Sequence, residues 1–101
     1  MSAETIDLRP YELMLIVPAD LDEKVSEETI ERVRTFITSH GGGIQTFEPW
    51  GRRRLAYPIK HKREGIYHVA RFTLPADRAP ELSHTLDRNE QVLRHLLVKG
   101  N

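Results

Sequence analysis

The chain has 101 residues, 30% charged and 39% hydrophobic, with no cysteine, which suits one domain around one core and excludes a disulfide framework, a thiolate zinc site, an iron–sulfur cluster and a cysteine nucleophile. No apolar run is long enough to cross a bilayer, so no membrane partner is expected, and Met1–Leu8 carries Glu4 and Asp7 without the apolar stretch of a signal peptide. Net charge is zero, yet residues 1–50 hold ten acids and four bases while residues 51–101 hold eleven bases and five acids, so a neutral chain can still present a strongly positive surface.

Arg9–Val17, RPYELMLIV, ends in five uninterrupted apolar residues. A run that short, closed by Pro18, reads as a strand buried on both faces, and Pro18–Asp22 reads as a turn. A helix follows, with Ile30, Val33 and Ile37 on one stripe and Phe36 beside them. Glu27, Glu28 and Glu31 lie toward its N-terminal end, where the helix dipole favours anions. Gly41, Gly42 and Gly43 stop it. Ile44–Ile59 is a second extended segment. Pro49 and Gly51 interrupt it, which predicts a bulge or a bent edge strand. Lys60–Gly65 reads as a charged turn and Ile66–Leu74 as the third strand. Pro75 and Asp77 open a second helix, with Asp77 as its N-cap and Pro80 in its first turn. Ala79, Leu82 and Leu86 form its buried stripe and Asn89 ends it. Val92–Lys99, VLRHLLVK, is the last strand.

The order βαββαβ predicts an α+β, ferredoxin-like fold: a four-stranded antiparallel sheet with two helices on one face. Residues 9–99 form the domain, and residues 1–8 are expected to be a flexible N-terminal extension. The helices leave one sheet face open, where polar alternation is expected. It is incomplete here. Leu13 and Leu15 oppose Met14 and Ile16. Ile66, Ala70 and Phe72 oppose Tyr67 and Val69. Leu96 and Val98 oppose Leu93 and Leu97. Apolar side chains on both faces predict that a partner covers the open side, although loops or the N-terminal arm are the plainer cover.

Arg52-Arg53-Arg54 is the sharpest local feature. In a strand Arg52 and Arg54 point one way and Arg53 the other. Their guanidinium forks match phosphate oxygens, and Tyr57 and Tyr67 can stack on unpaired bases. The plainer reading is a solvated edge strand whose charges prevent edge-to-edge pairing, but Lys60, His61, Lys62 and Arg63 shift the balance toward polyanion binding. His40, His61, His68, His84 and His95 show no metal-ligand spacing, so no metal or other cofactor is expected. The acids at Asp20, Asp22, Glu23, Glu27, Glu28 and Glu31 read as a helix start and a solvated helix face. The glycine run ends a helix rather than opening one, so it is not a phosphate loop. No catalytic residue is proposed.

Three segments carry a family resemblance: RPYELMLIVPADLD at 9–22, GRRRLAYPIKHKREGIYHVARF at 51–72, and VLRHLLVK at 92–99. Together they resemble the bacterial small-ribosomal-subunit proteins of the S-six family, over roughly residues 9–99. The resemblance implies a structural protein of the cytoplasmic ribosome, with no small-molecule substrate, that binds 16S ribosomal RNA in the platform of the small subunit. It further implies binding together with a second small protein, the S-eighteen partner. On that reading Arg9, Arg52, Arg53, Arg54, Lys60, Lys62, Arg63 and Lys99 are the candidate RNA contacts. Met14, Ile16, Tyr57, Tyr67, Val69 and Arg71 are the candidate partner contacts. Residues 1–8 extend the usual start, the sequence stops at Asn101 without the tail of some relatives, and the Lys60–Arg63 stretch is more basic than the family pattern.

Two other readings share the fold. An RRM-type module needs paired aromatics on its central strands, and Arg63–Val69 gives only a loose echo. An acylphosphatase-like enzyme needs a phosphate loop after the first strand, where this chain has Pro18-Ala19-Asp20.

Overall fold

The computed structural model describes residues 7–100. Its elements are β1 (Leu8–Pro18), α1 (Glu23–Ser39), β2 (Gly43–Ile59), β3 (Lys62–Pro75), a 3-10 turn (Ala76–Arg78), α2 (Ala79–Arg88) and β4 (Arg94–Lys99). The strands form one sheet in the order β2-β3-β1-β4, with every neighbouring pair antiparallel. The βαββαβ expectation therefore holds. The expected N-terminal extension falls mostly on residues 1–6, outside the described residues; Leu8 already pairs with Pro75.

The core lies between the sheet and the helices. Tyr11, Leu13 and Leu15 of β1 meet Ala70, Phe72 and Leu74 of β3, and α1 and α2 close over them with Val33, Ile37, Ala79, Leu82 and Leu86. Burying a side chain the size of Phe72 or Leu15 contributes about 1.5–3 kcal/mol. On α1 the stripe differs by one position from the expected one. Thr29 is buried and Ile30 only half-buried. The Thr29 hydroxyl donates to the Val25 carbonyl at 2.9 Å, which satisfies it inside the helix. Asp22 caps α1 by accepting from the Lys24 amide at 2.8 Å. The other end is a Schellman closure: the Gly41 amide donates to Thr38 and the Gly42 amide to Ile37, with Gly41 at φ +87°.

Three expectations need correction. Asp77 does not cap α2. It lies in the 3-10 turn, and no side chain among the described residues caps the helix that follows, whose first turn holds Pro80. Lys60–Gly65 is not a six-residue turn. Ile59 pairs with Lys62, so only Lys60 and His61 turn the chain, at φ 49° and 65°. Two successive left-handed residues between paired strands are the geometry of a type I′ hairpin, and β3 thereby gains Lys62–Gly65. The last strand begins at Arg94 rather than Val92, although the Leu93 amide still donates to the Ile16 carbonyl at 2.8 Å. A left-handed conformation costs a non-glycine residue about 1–2 kcal/mol. Replacing His61 with glycine should therefore stabilise the fold by about 1 kcal/mol and raise the melting temperature by about 4–8 °C; an unchanged melting curve would contradict this account of the turn.

The two-residue turn makes a long hairpin. β1 runs out at Pro18, opposite Gly65, so the β2–β3 tip overshoots it, and the described residues extend over 52 × 26 × 22 Å. The tip curls back over the open face. Leu55 packs with Ile16 and Leu93 in a second small cluster, bordered by Ile59 and Tyr67. The Lys60 ammonium donates to the Val92 carbonyl at 3.3 Å, and the Arg94 guanidinium donates to the Tyr57 hydroxyl. Gly65 makes room for this: a Cβ there would lie 2.5 Å from Ile16 Cγ2.

Candidate nucleic-acid interface

β2 is an edge strand, and its bulges at Ile44/Thr46 and Pro49/Gly51 match the bend expected from Pro49 and Gly51. Gly51 takes φ +97°. Beyond it, Arg52, Arg53 and Arg54 pair with Ile66, Gly65 and Glu64 and are all exposed. The alternation is as expected. Arg52 and Arg54 share the side of Glu64, whereas Arg53 turns to the open face, its guanidinium 5.9 Å from the Tyr67 ring centre.

The charges are less free than the sequence suggests. Arg52 donates to Glu64 at 2.6 Å, and Lys62 donates to Asp20 at 2.8 Å. The Lys62 ammonium holds the Asp20 carboxyl below its ordinary range. These four residues line a shallow pocket of about 260 Å³ with His61 and Arg63. Lys60 is committed to Val92. Among the described residues Arg53, Arg54 and Arg63 make no ion pair.

Arg9 and Lys99 sit elsewhere. They lie at the opposite end of the sheet, where Arg9 pairs with Leu74 and Lys99 with Tyr11. Nine residue steps along β1 lead from Arg9 to Pro18, roughly 30 Å of strand. Arg9 is also paired, 2.8 Å from Asp7, and its guanidinium keeps the Asp7 carboxyl below the usual carboxylate range. The eight candidate RNA contacts therefore form a hairpin group of six and a distant pair.

The candidate partner contacts come together on the open face. Cross-strand partners share a face, and the register aligns Met14 with Val69 and Leu96, Ile16 with Tyr67 and Arg94, and Glu12 with Arg71 and Val98. Leu96 and Val98 are 54% and 42% exposed. Arg71 is paired with Glu12 at 2.9 Å. Ile16 is only 6% exposed, because Leu55 and Leu93 cover it. Tyr57 is exposed at the rim, on the hairpin tip. Part of the open face is thus covered by the chain's own hairpin, and the uncovered part is Met14, Val69, Leu96 and Val98.

Other clusters make no reaction centre. Ser83 Oγ lies 2.9 Å from His95 Nε2, and Asp87 Oδ1 lies 3.4 Å from His95 Nδ1. The outline is that of a hydrolase triad, but the His95 side chain is only 10% exposed, wedged between α2 and β4. The contacts tie helix to strand, and nothing in sequence spacing announces them. His68 faces a groove of about 400 Å³ between α1 and β2, bordered by Glu23, Glu27, Glu31, Arg34 and Phe47. Its Nε2 is buried without a partner among the described residues, and burial lowers its pKa from the ordinary 6.5. The unfolded chain therefore binds this proton more readily than the folded one. His68 should contribute nothing to pH dependence above about 6.5, then destabilise the fold as pH falls from 6.5 toward its folded value. His68→Leu should flatten the melting temperature over that window, and an unaltered profile would sink the assignment. Among the described residues no group of histidines and carboxylates is placed to hold a metal ion.

The family model for ribosomal protein S6 matches residues 10–99. The chain belongs to the ribosomal protein S6 family. The small ribosomal subunit protein bS6 of Arthrobacter sp. (strain FB24) is 46% identical over 92 residues, 91% of each chain. That of Pseudarthrobacter chlorophenolicus is 45% identical over the same share. The crystal structure of 30S ribosomal protein S6 from Thermotoga maritima superposes with a TM-score of 0.85 at 30% identity, covering 92% of this chain and 88% of that one. The C-terminal domain of the MgtC protein of Mycobacterium tuberculosis reaches a TM-score of 0.62 at 14% identity; that likeness concerns the fold alone. As a ribosomal protein S6 family member the chain is a structural, non-enzymatic protein of the small subunit of the cytoplasmic ribosome. In this family setting the Ser83-His95-Asp87 contact is a packing device.

Proposed function

We propose that this chain binds 16S ribosomal RNA through the β2–β3 hairpin and docks the S-eighteen ribosomal protein on the open face of its sheet, acting in platform assembly and translation. The observation that carries the reading is a juxtaposition. Arg53 and Arg63, without ion-pair partners among the described residues, mark the hairpin end of the same sheet whose far edge strand carries an apolar surface, with Leu96 54% and Val98 42% exposed. Guanidinium groups neutralise phosphates, and an uncovered apolar sheet face favours a protein cover. Because the chain is neutral overall, its affinity for RNA alone should be low, and the partner supplies further positive charge.

The test is filter binding of a platform fragment of 16S rRNA to this chain, to the S-eighteen protein and to both. Strong binding is expected only with both proteins, falling steeply with salt. Joint binding no stronger than that of the separate proteins would overturn the reading. So would tight binding of unstructured RNA by this chain alone, which is the behaviour of an RRM-type module.

A further inference from the structure

Arg94 is read in the sequence only as part of the closing strand. In the fold it heads β4 and pairs with Ile16, which pairs with Tyr67 on its other side. Arg94, Ile16 and Tyr67 therefore form one row across the open face. Ile16 in the middle is covered by Leu55 and Leu93. At one end of the row the Arg94 guanidinium lies 5.9 Å from the Tyr57 ring centre and donates to its hydroxyl. At the other end the Arg53 guanidinium lies 5.9 Å from the Tyr67 ring centre. Two arginine–tyrosine pairs thus flank one small apolar cluster.

These arginines differ from their neighbours. Arg52, Lys62 and Arg71 are each matched by an acid, namely Glu64, Asp20 and Glu12. Arg53 and Arg94 have no acid within ion-pair distance among the described residues. A guanidinium beside a tyrosine ring is held in place, yet its remaining N–H groups stay free to fork onto two oxygens. The arginines stand on the two edge strands, and the hairpin tip, curling over the open face, brings Tyr57 of β2 to Arg94 of β4. Two preorganised, unmatched guanidinium groups on either side of one apolar cluster suit a ligand with repeating anions, such as a nucleic-acid backbone, better than a lone carboxylate.

We infer that Arg94 and Arg53 form a two-point clamp for the RNA phosphate backbone on the hairpin end of the open face, with Tyr57 and Tyr67 holding the guanidinium groups. This rests on the rRNA-binding reading above and deepens it. It divides the open face. RNA crosses the Arg94–Tyr67 row, and the partner protein covers Met14, Val69, Leu96 and Val98. The two ligands then meet along a common border, which accounts for joint binding.

The test measures binding of the same 16S rRNA fragment, with the S-eighteen protein present, over a series of salt concentrations. R94A should weaken binding about tenfold, equivalent to about 1.4 kcal/mol, and reduce the slope of log K against log salt by about 0.7–0.9. R94K should keep the slope and lose part of the affinity, because it keeps the charge but not the planar fork. Y57F keeps the ring but removes the hydroxyl that accepts from Arg94, so it should lose part of the affinity, less than R94A does, and leave the slope unchanged because the charge remains. If Y57F weakened binding as much as R94A, Arg94 would act only by securing the hairpin tip, and the clamp would be wrong. Weaker binding of R94A to the partner protein without RNA would place Arg94 in the protein interface instead, also against the clamp. If R94A bound normally while R54A did not, the clamp would fail and the rRNA reading would stand. Absence of joint binding by the wild-type chain would overturn both. Should circular dichroism show R94A to be unfolded, the R94K comparison decides alone: unchanged affinity counts against the clamp and reduced affinity at constant slope supports it.

Discussion

Replacing Gly42 with alanine is expected to destabilise the fold by about 3 kcal/mol, the upper part of the range for forcing volume into a packed site, and to lower the melting temperature by about 10–25 °C. A Cβ at this position would lie 2.2 Å from the Thr73 carbonyl oxygen and 2.9 Å from both Ile37 Cγ2 and the Ile37 carbonyl oxygen. Two of those atoms are backbone and cannot swing aside. The Gly42 amide also donates to Ile37 at 2.8 Å, so relief of the clash would cost the helix closure. Gly41→Ala is the informative comparison. No atom of the described residues lies within 4 Å of a Cβ there, and the cost is that of a left-handed alanine, about 1–2 kcal/mol. Equilibrium denaturation of the two variants checks the ordering. If Gly41→Ala were the more damaging, backbone conformation rather than close approach would control this junction.

The same three glycines show how much of the fold the sequence reveals. Their power to stop a helix is legible in composition alone. Their separate duties are not. Gly41 supplies a left-handed backbone, Gly42 a close approach to β3, and Gly43 the first residue of β2, donating to the Thr73 hydroxyl at 3.1 Å. The latter two depend on a strand thirty residues away. Periodicity recovered the strands and helices because burial on one face imposes it, as with Val33, Ile37, Leu82 and Leu86. Where tertiary contacts override local preference, the fold departs from the local pattern. Thr29 is buried because α1 is rotated slightly from the ideal apolar stripe, and its hydroxyl finds a carbonyl within the helix. Asp77 resembles a cap, but Ala76–Arg78 form a tighter turn that carries it past the capping position. Lys60 and His61 carry no turn signature, since type I′ hairpins favour asparagine and glycine, so the local sequence hides the full length of the hairpin.

The candidate interface divides along similar lines. Strand alternation correctly set Arg53 apart from Arg52 and Arg54. The pairing of Asp20 with Lys62 joins residues 42 apart in sequence and needs the fold to become visible. The same holds for the roughly 30 Å that separate Arg9 and Lys99 from the hairpin, and for the meeting of Arg94 with Tyr57. A count of basic residues overstates the free charge, because acids distant in sequence neutralise part of it.

Which arginines remain available sets the largest functional effect expected. The double replacement R53A/R54A should weaken joint binding to the 16S rRNA fragment by up to about 100-fold, taking about 1.4 kcal/mol for each lost phosphate contact. The slope of log K against log salt should become shallower by about 1.4–1.8, two released counterions' worth. Stability should change little. Both side chains are exposed and, among the described residues, unmatched by acids, and the interaction lost there is the Arg53–Tyr67 stacking, about 0.5–1 kcal/mol at an exposed site. R52A is the contrasting variant. Arg52 is already held by Glu64, so its removal takes away one cation and releases one anion beside the same strand. If Arg52 reaches phosphate as well, R52A should be as damaging as either single change at Arg53 or Arg54. If its role is to neutralise Glu64, the loss should be smaller, and R52A/E64Q should restore much of it. A double variant R53A/R54A that bound the partner–RNA complex with wild-type affinity and salt dependence would remove the arginine run from the interface. The basic hairpin would then be a charged edge that keeps β2 from pairing with other strands.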